Sequence, residues 1–348
     1  WYAHIAVLRN KNRQDAQGSA ELLKRTIFNS DRLLGLAERP LLLTLMASLH
    51  AWRGSTLPEK REELYADAVE LLLDWWESPK VVRNARGDMV VRQPSLAEWL
   101  KTDRQKVRAL LNELAFDAHA SQTELTGTAD IPEDSLVGGL MRLSQNPEVN
   151  PRQLVEYLSL RAGLLIPRGV GVYTFPHRTF QEYLAACHLT DHDYPDKVAG
   201  LVCADFDRWR EVTLLAGAKA AGGTASAIWS LVEALCFHEP APGCPEQEQW
   251  GAHLAGLALV ESAALNNVCE RNLLKKERVV RGLVHILESG RLPALERAAA
   301  GDSLARLGDP RPGVGVDRQT RLPDIAWVRI PAGAFRMGER REQHTVKL

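Results

Sequence analysis

The 348-residue sequence lacks several features that would assign a protein to a class directly. It contains no apolar run of about 18 residues, the length that a membrane-spanning helix requires. Its five cysteines are odd in number and widely spaced, which argues against a disulfide framework and favours a reducing compartment, so we expect a cytoplasmic protein. Lysine and arginine total 43 against 44 acidic residues, so the net charge of −1 indicates neither a nucleic-acid-binding field nor a membrane anchor.

A phosphate-binding loop is also absent from the sequence. Such a loop ends in Gly-Lys-Ser/Thr, because its backbone amides and lysine hold the β- and γ-phosphates and the hydroxyl holds Mg²⁺. No Gly-Lys pair occurs here, so the sequence predicts no catalytic residue and leaves the question of an enzyme open. The chain opens on Trp1 without a basic segment followed by an apolar one, so we expect no signal peptide and a start inside a larger protein.

What the sequence does contain is mainly helical patterning, and its most informative stretch is 173–189. Thr179 and Glu182 have the spacing of a capping box, and an apolar face follows, which predicts a helix that begins near Thr179. His177 then lies beside the positive end of that helix. Backbone amides and the helix dipole favour a phosphate there, and the imidazole adds a hydrogen-bond donor. The alternative is a histidine that only caps the helix or faces solvent.

Two short strand-like runs precede this helix, at 164–166 and 172–175, and the glycine-containing segment between them predicts a β-hairpin. A helix that stops at Gly163 comes before the hairpin. Residues 130–134 are predicted only as the cap of an earlier helix that begins at Ser135. The order helix, hairpin, helix is that of a winged-helix domain.

The run F-P-H-R-T-F-Q-E-Y-L-A-A at 175–186 resembles the winged-helix segment of NACHT proteins, which are STAND-type signalling NTPases. Upstream, R-P-L-L-L-T-L-M at 39–46 and L-P-E-K-R-E-E-L-Y at 57–65 are similar to helices of that family and follow in its order. In the family, the proline of the first helix packs near the adenine base, and the winged-helix histidine contacts the β-phosphate of ADP in the closed state. The resemblance therefore implies nucleotide contacts at Pro40 and His177. The alternative for Pro40 is simply the first turn of a helix, where proline's missing N–H costs nothing.

The positions of glycine, proline and helix-capping residues along the chain predict a mainly α-helical protein in four parts. Residues 1–100 are predicted to form a helical domain that follows a nucleotide-binding core, and residues 101–190 to form the winged helix with its small hairpin. Residues 191–312 are predicted to form a second, solenoid-like helical domain. Residues 313–348 are predicted to contain a linker and the first strands of a C-terminal domain. Segment 79–95 is either a basic linker or a small hairpin.

The last part carries a second resemblance. W-V-R-I-P-A-G-A-F-R-M-G at 327–338 alternates around a Pro-Ala-Gly turn, which predicts a β-hairpin. It is similar to the opening of formylglycine-generating-enzyme-like domains, which have a C-type-lectin-like fold. The catalytic cysteines of that family lie well beyond this opening, so no oxidase activity is implied. By analogy with NACHT architectures, such a domain acts as the sensor of an unknown ligand.

These resemblances imply the regulatory part of a bacterial NACHT ATPase switch, of the kind that serves innate immune and antiphage signalling. The nucleotide-binding core of the same protein would supply ADP or ATP with Mg²⁺, and His177 would hold the resting state until a ligand favours opening and homo-oligomer assembly. Two other classes stay open: a structural helical scaffold and a winged-helix DNA-binding regulator. The DNA alternative needs phosphate donors, and this region offers only Arg152, Arg161 and, on the wing, Arg168. We expect neither DNA nor a membrane as partner.

Two groups of residues in the sequence are potential zinc ligands. One is the segment 187–193, and the other combines Cys236, His238, Cys244 and His253. His188 and His192 of the first group could ligate zinc from one helix, but the polarity of a helix end explains that segment better. The second group fits no zinc motif, so we expect no metal site in this chain.

Overall fold

The computed structural model describes residues 13–38, 40–52, 56–58, 60–83, 86, 88–161, 163–263, 265–266, 268–317, 319–325, 327–329, 331–338 and 343–347. Arg39, Ala162 and Ile330, which belong to the predicted motifs, lie outside these ranges, as does the segment 1–12 of the first predicted domain. Among the described residues, every helix is too short or too polar to span a lipid bilayer.

Within the described ranges, helices dominate, so the predicted mainly α-helical fold is confirmed. The helices are α1 (Arg13–Phe28), α2 (Asp31–Ala37), α3 (Pro40–Trp52), α4 (Arg61–Glu77), α5 (Leu96–Leu100), α6 (Arg104–Ser121), α7 (Glu133–Leu143), α8 (Pro151–Ser159), α9 (Arg178–Asp191), α10 (Asp196–Ala204), α11 (Phe206–Gly223), α12 (Ala227–Leu235), α13 (Glu246–Ser262), α14 (Glu270–Ser289) and α15 (Ala294–Leu307). The strands are β1 (Lys80–Arg83), β2 (Met89–Gln93), β3 (Asp130–Pro132), β4 (Ile166–Pro167), β5 (Val172–Thr174), β6 (Ala334–Met337) and β7 (His344–Lys347).

Helices α1 to α4 form an N-terminal helical arm, in which α3 packs against α4. The buried side of α3 includes Met46 and Leu49, and that of α4 includes Leu64 and Trp76. A short hairpin follows the arm, because β1 pairs with β2 in antiparallel register, so the segment 79–95 is a hairpin and not a linker. It leads into α5, where Ser95 and Glu98 form a capping box.

The winged helix consists of α6, β3, α7, α8, β4 and β5, and α9 follows it. Its three strands are ordered β3-β5-β4, so Tyr173 of β5 faces Ile131 on one side and Pro167 on the other. Strand β3 was not predicted, and it changes the start of the next helix. Because Pro132 ends the strand, α7 begins at Glu133 and not at Ser135.

Helices α10 to α15 form the C-terminal helical region, which is joined to the winged helix by packing of α9 against α11. Neighbouring helices along the chain pack against each other, with α13 against both α12 and α14. Gly251 of α13 lies so close to α12 that a Cβ there would stand 2.2 Å from the carbonyl oxygen of Leu235. A glycine is therefore required at this crossing.

The C-terminal segment does form a β-hairpin, but its strands lie further along the chain than predicted. Strand β6 begins at Ala334, after the predicted Pro-Ala-Gly turn, and pairs with β7 so that Phe335 faces Val346. Residues 327–329 are not in a strand, and Trp327 is 85% exposed. The reason is that the pairing partner lies downstream, beyond the segment on which the prediction was based.

Candidate functional site

His177 is the N-cap residue of α9, and its own side chain makes the cap. The backbone is extended there, and Nδ1 accepts a hydrogen bond from the backbone N–H of Thr179 at 3.2 Å. The hydroxyl of Thr179 lies 2.8 Å from the same nitrogen. Glu182 does not reach back to the cap, because it pairs with Nε of Arg178 at 2.7 Å. The predicted capping box of Thr179 and Glu182 is therefore wrong, although the helix begins where it was expected.

This arrangement determines which nitrogen of His177 can donate. Since Nδ1 accepts a backbone N–H, a neutral ring must carry its proton on Nε2. Partial burial lowers the pKa of the imidazole, which favours that neutral form. The residue is exposed, so the Nε2–H group is not engaged by the helix that Nδ1 caps. A neutral donor thus stands at the positive end of a 14-residue helix.

A shallow cleft of about 370 Å³ ends at Pro176, the residue before His177. It lies between the loop after α6 and the wing strands, and its polar lining includes Thr128, Arg168 and Thr174. The two threonine hydroxyls bond each other at 2.8 Å, and Arg168 pairs with Asp130 at 3.2 Å. The cleft therefore presents hydroxyl and guanidinium groups beside the candidate donor.

Pro40 is the first residue of α3 and is exposed. Its carbonyl accepts a hydrogen bond from the hydroxyl of Thr44 at 3.0 Å, which is ordinary first-turn geometry. Helices α3 and α9 both pack against α4 and do not pack extensively against each other. Pro40 and His177 are therefore at the starts of two helices that share one neighbour.

A buried polar network, which the sequence did not reveal, joins α9 to α6 and α11. Nε2 of His119 lies 2.9 Å from the carbonyl oxygen of Arg208, and Nδ1 of His119 lies 3.2 Å from Nε2 of Gln181. The guanidinium of Arg208 donates in return to the carbonyls of His119 and Gln122. His119 and Gln181 are fully buried. The network fixes the winged helix to the C-terminal helical region.

A second connection runs from the start of α4 to α11 and α13. Arg61 bonds Glu211 at 2.6 Å and Glu261 at 3.0 Å. Burial alone would lower the pKa of this guanidinium, but the two carboxylates outweigh burial and raise it. Arg61 therefore stays charged and holds three helices together.

The phosphate donors that the DNA alternative requires are largely occupied. Arg161 is only 2% exposed, and it donates to the carbonyls of Trp76, Ser78 and Pro94. Arg168 is exposed but paired with an aspartate, as described above. The third expected donor, Arg152, lies on α8 and is exposed.

The residues weighed as zinc ligands have other contacts. Cys187 is buried, and the rings of His188 and His192 stack with their centroids 4.5 Å apart. In the other group, His253 bonds Glu296 at 2.8 Å. Across the described ranges, no group of three or more histidine, cysteine or acidic side chains is arranged to hold a metal ion.

Comparison with known families identifies one part of the chain. Residues 61–189 match the family described as the winged helix-turn-helix domain C-terminal to NACHT. The matched segment runs from the first residue of α4 into α9, so it contains the whole winged helix and His177. This region is therefore a NACHT-associated winged helix, as the sequence resemblance implied. The match does not extend to 313–348, and nothing supports the formylglycine-generating-enzyme-like resemblance there. Comparison with curated proteins gave no match.

Proposed function

We propose that this chain carries the regulatory part of a NACHT nucleotide switch, with His177 as the residue that reads bound ADP. The observation that carries the proposal is the exposed imidazole whose Nδ1 caps α9, since that cap leaves Nε2–H free to donate. In the resting state, Nε2–H donates to the β-phosphate of ADP held by a NACHT core of the same protein. The adenine lies near Pro40, and Mg²⁺ is bound by the core together with ATP.

A single contact of this kind is strong enough to set a switch. A hydrogen bond to a charged group contributes about 1.5 to 3 kcal/mol, which corresponds to roughly 10 to 100-fold in population. The contact exists only in the closed state, so it favours that state by this factor. A ligand sensed by a C-terminal domain then needs to offset only this amount for the protein to open and assemble as a homo-oligomer.

The contacts of α9 supply a route by which opening is transmitted. The helix packs against α4, α6 and α11, and the His119 network and the Arg61 ion pairs tie the same helices together. We infer that the winged helix and the C-terminal helical region move as one body when His177 leaves the phosphate. The family's antiphage setting, and a sensor domain beginning in 313–348, are proposed on the sequence resemblances alone.

Substitution at His177 tests the proposal, and two variants separate its two roles. In a protein that carries a NACHT core ahead of this chain, His177→Ala removes both the cap and the phosphate donor. His177→Asn keeps a side-chain oxygen that caps the helix well but lacks the imidazole Nε2–H. We expect both variants to release a fluorescent ADP analogue about 10 to 100-fold faster than the parent in a displacement assay.

The thermal midpoint of unfolding is the control for this experiment. It should fall for His177→Ala, since loss of an N-cap costs about 1 kcal/mol, and stay near the parent value for His177→Asn. ADP release from both variants at the parent rate would show that the histidine is only a cap, because the alanine variant has no side-chain donor at all. A scaffold without a switch predicts instead that neither the parent nor the variants retain nucleotide.

A further inference from the structure

A cavity of about 380 Å³ lies between the N-terminal helical arm and the C-terminal helical region, and it does not include His177. Its walls come from α2, the start of α4, α11, α13 and α15. The apolar part of the lining includes Leu214, Leu257 and Val260. A volume of this size is within the range of small-molecule sites, which combine an apolar lining with a few polar groups.

The polar lining is cationic in excess, with four basic side chains and two carboxylates. Arg61 is already matched by Glu261, which also lines the cavity, and by Glu211 behind it. The other carboxylate, that of Glu62, accepts a hydrogen bond from the hydroxyl of Tyr183 at 3.4 Å. The remaining basic side chains therefore decide which ligand charge the cavity favours.

Three polar groups of the lining have unused hydrogen-bonding capacity. Among the described residues, Arg306 has no hydrogen bond or ion pair, and Arg210 uses only Nη1, in a bond to Glu296 at 2.7 Å. Nε of Arg210 and Oγ of Ser262 are buried without a partner. Since buried polar groups are normally hydrogen-bonded, Nε of Arg210 and Oγ of Ser262 mark the place of an acceptor, and the exposed guanidinium of Arg306 stands at the rim of the same cavity.

We propose that this cavity binds an amphipathic monoanion, whose acidic group accepts hydrogen bonds from Arg306 and Arg210 and whose hydrocarbon body packs on Leu214, Leu257 and Val260. The ligand class is a carboxylate with an apolar chain or ring system. Such a ligand bridges α11, α13 and α15 of the C-terminal helical region, because its two ends contact different helices. This inference is independent of the nucleotide contact at His177.

Calorimetric titration of the whole chain with octanoate, and with 1-octanol as the uncharged probe of equal length, tests the proposal. We expect octanoate to bind at one site and 1-octanol to bind about five-fold more weakly, because a partly exposed ion pair contributes about 1 kcal/mol. Arg306→Gln should weaken octanoate binding by the same factor and leave 1-octanol unchanged. The matched control is Arg271→Gln, an exposed arginine of α14 outside the cavity, which should change neither affinity.

Filling the cavity is the second arm of the experiment. Ala218 lines it on α11, so Ala218→Phe should abolish binding of both probes. If that variant unfolds at a lower temperature than the parent, the smaller change Ala221→Leu at the same wall replaces it. If the two probes bind with equal affinity and Arg306→Gln has no effect, the cavity binds the apolar chain alone, and the proposal is overturned. Absence of binding by either probe at millimolar concentration would overturn it as well.

Discussion

Arg161→Ala is expected to lower the free energy of unfolding by about 3 to 5 kcal/mol, one of the two largest single effects that this structure predicts. The guanidinium is buried, lies 4.1 Å over the ring of Tyr157 and donates to three backbone carbonyls. Those carbonyls belong to the end of α4 and to the residues after β2. The hydroxyl of Tyr157, which donates to the carbonyl of Pro94, and Lys80, which donates to the carbonyl of Leu160, also tie these places to the end of α8. Truncation of Arg161 leaves the buried carbonyl of Trp76 without this donor, and the cavity that remains removes packing as well.

Urea unfolding of the whole chain measures this effect, and α8 offers a matched control. Arg152 is an exposed arginine of that helix, so Arg152→Ala should change stability by less than about 0.5 kcal/mol. Equal stability of the two variants would mean that Arg161 does not hold the winged helix to the arm.

The burial of Arg161 also bears on the DNA alternative. A winged helix that reads DNA needs donors on the exposed side of its second helix, and here the best placed arginine is committed to the protein's own backbone. We therefore expect no salt-dependent binding of duplex DNA. A titration at low ionic strength checks this, since phosphate contacts would give strong binding there and a steep loss on adding salt.

Local signals explain what the sequence predicted correctly. The wing was predicted from two short strands and glycines, and Gly169 and Gly171 do adopt positive φ at its tip. The segment 130–132 was missed because it holds one apolar residue, Ile131, and becomes a strand only by pairing with Tyr173. A three-residue strand has no periodicity of its own to detect.

Two matches to the capping-box pattern show that the surroundings of a motif decide whether it forms. Ser95 and Glu98 form the box. Thr179 and Glu182 have the same spacing but do not form it, because His177 offers an acceptor closer to the helix start and Arg178 takes the glutamate. The position of His177 beside the helix was therefore predictable, whereas its role as the cap and the resulting donor at Nε2 were not.

The connections that hold the site in place were invisible in the sequence. Arg61 and Glu261 are 200 positions apart, and His119 and Arg208 are 89 positions apart. No local pattern relates such residues. Since α9 contacts α4 and α6, which precede it in the sequence, and α11, which follows it, the setting of His177 depends on the tertiary structure and not on the helix alone.

Acid should destabilise the protein through His119. Burial is the main reason that the pKa of this imidazole is lowered to about 4; the charges of Arg178 and Arg208 also lower it, while the hydrogen bond to the carbonyl of Arg208 and the charge of Asp205 oppose the shift. In the unfolded chain the ring titrates near 6.5, so below that pH the unfolded state binds the proton and the folded state does not. Stability is therefore complete above about pH 7 and falls as the pH drops towards 4, by about 2 kcal/mol at pH 5 and about 3 kcal/mol at pH 4.

The hydrogen bonds explain why the folded state resists that proton. The amide nitrogen of Gln181 faces Nδ1 of His119, because its oxygen already accepts the backbone N–H of Ala129 at 2.8 Å. A second ring proton would face this amide N–H, and the amide cannot turn round without leaving Ala129 unpaired. Urea unfolding between pH 7 and pH 5 should show a smaller loss of stability for His119→Gln than for the parent, because the remaining histidines titrate equally in both. Equal losses would mean that His119 is free to take up the proton in the folded protein, and the connection between α6, α9 and α11 would then not depend on a neutral ring.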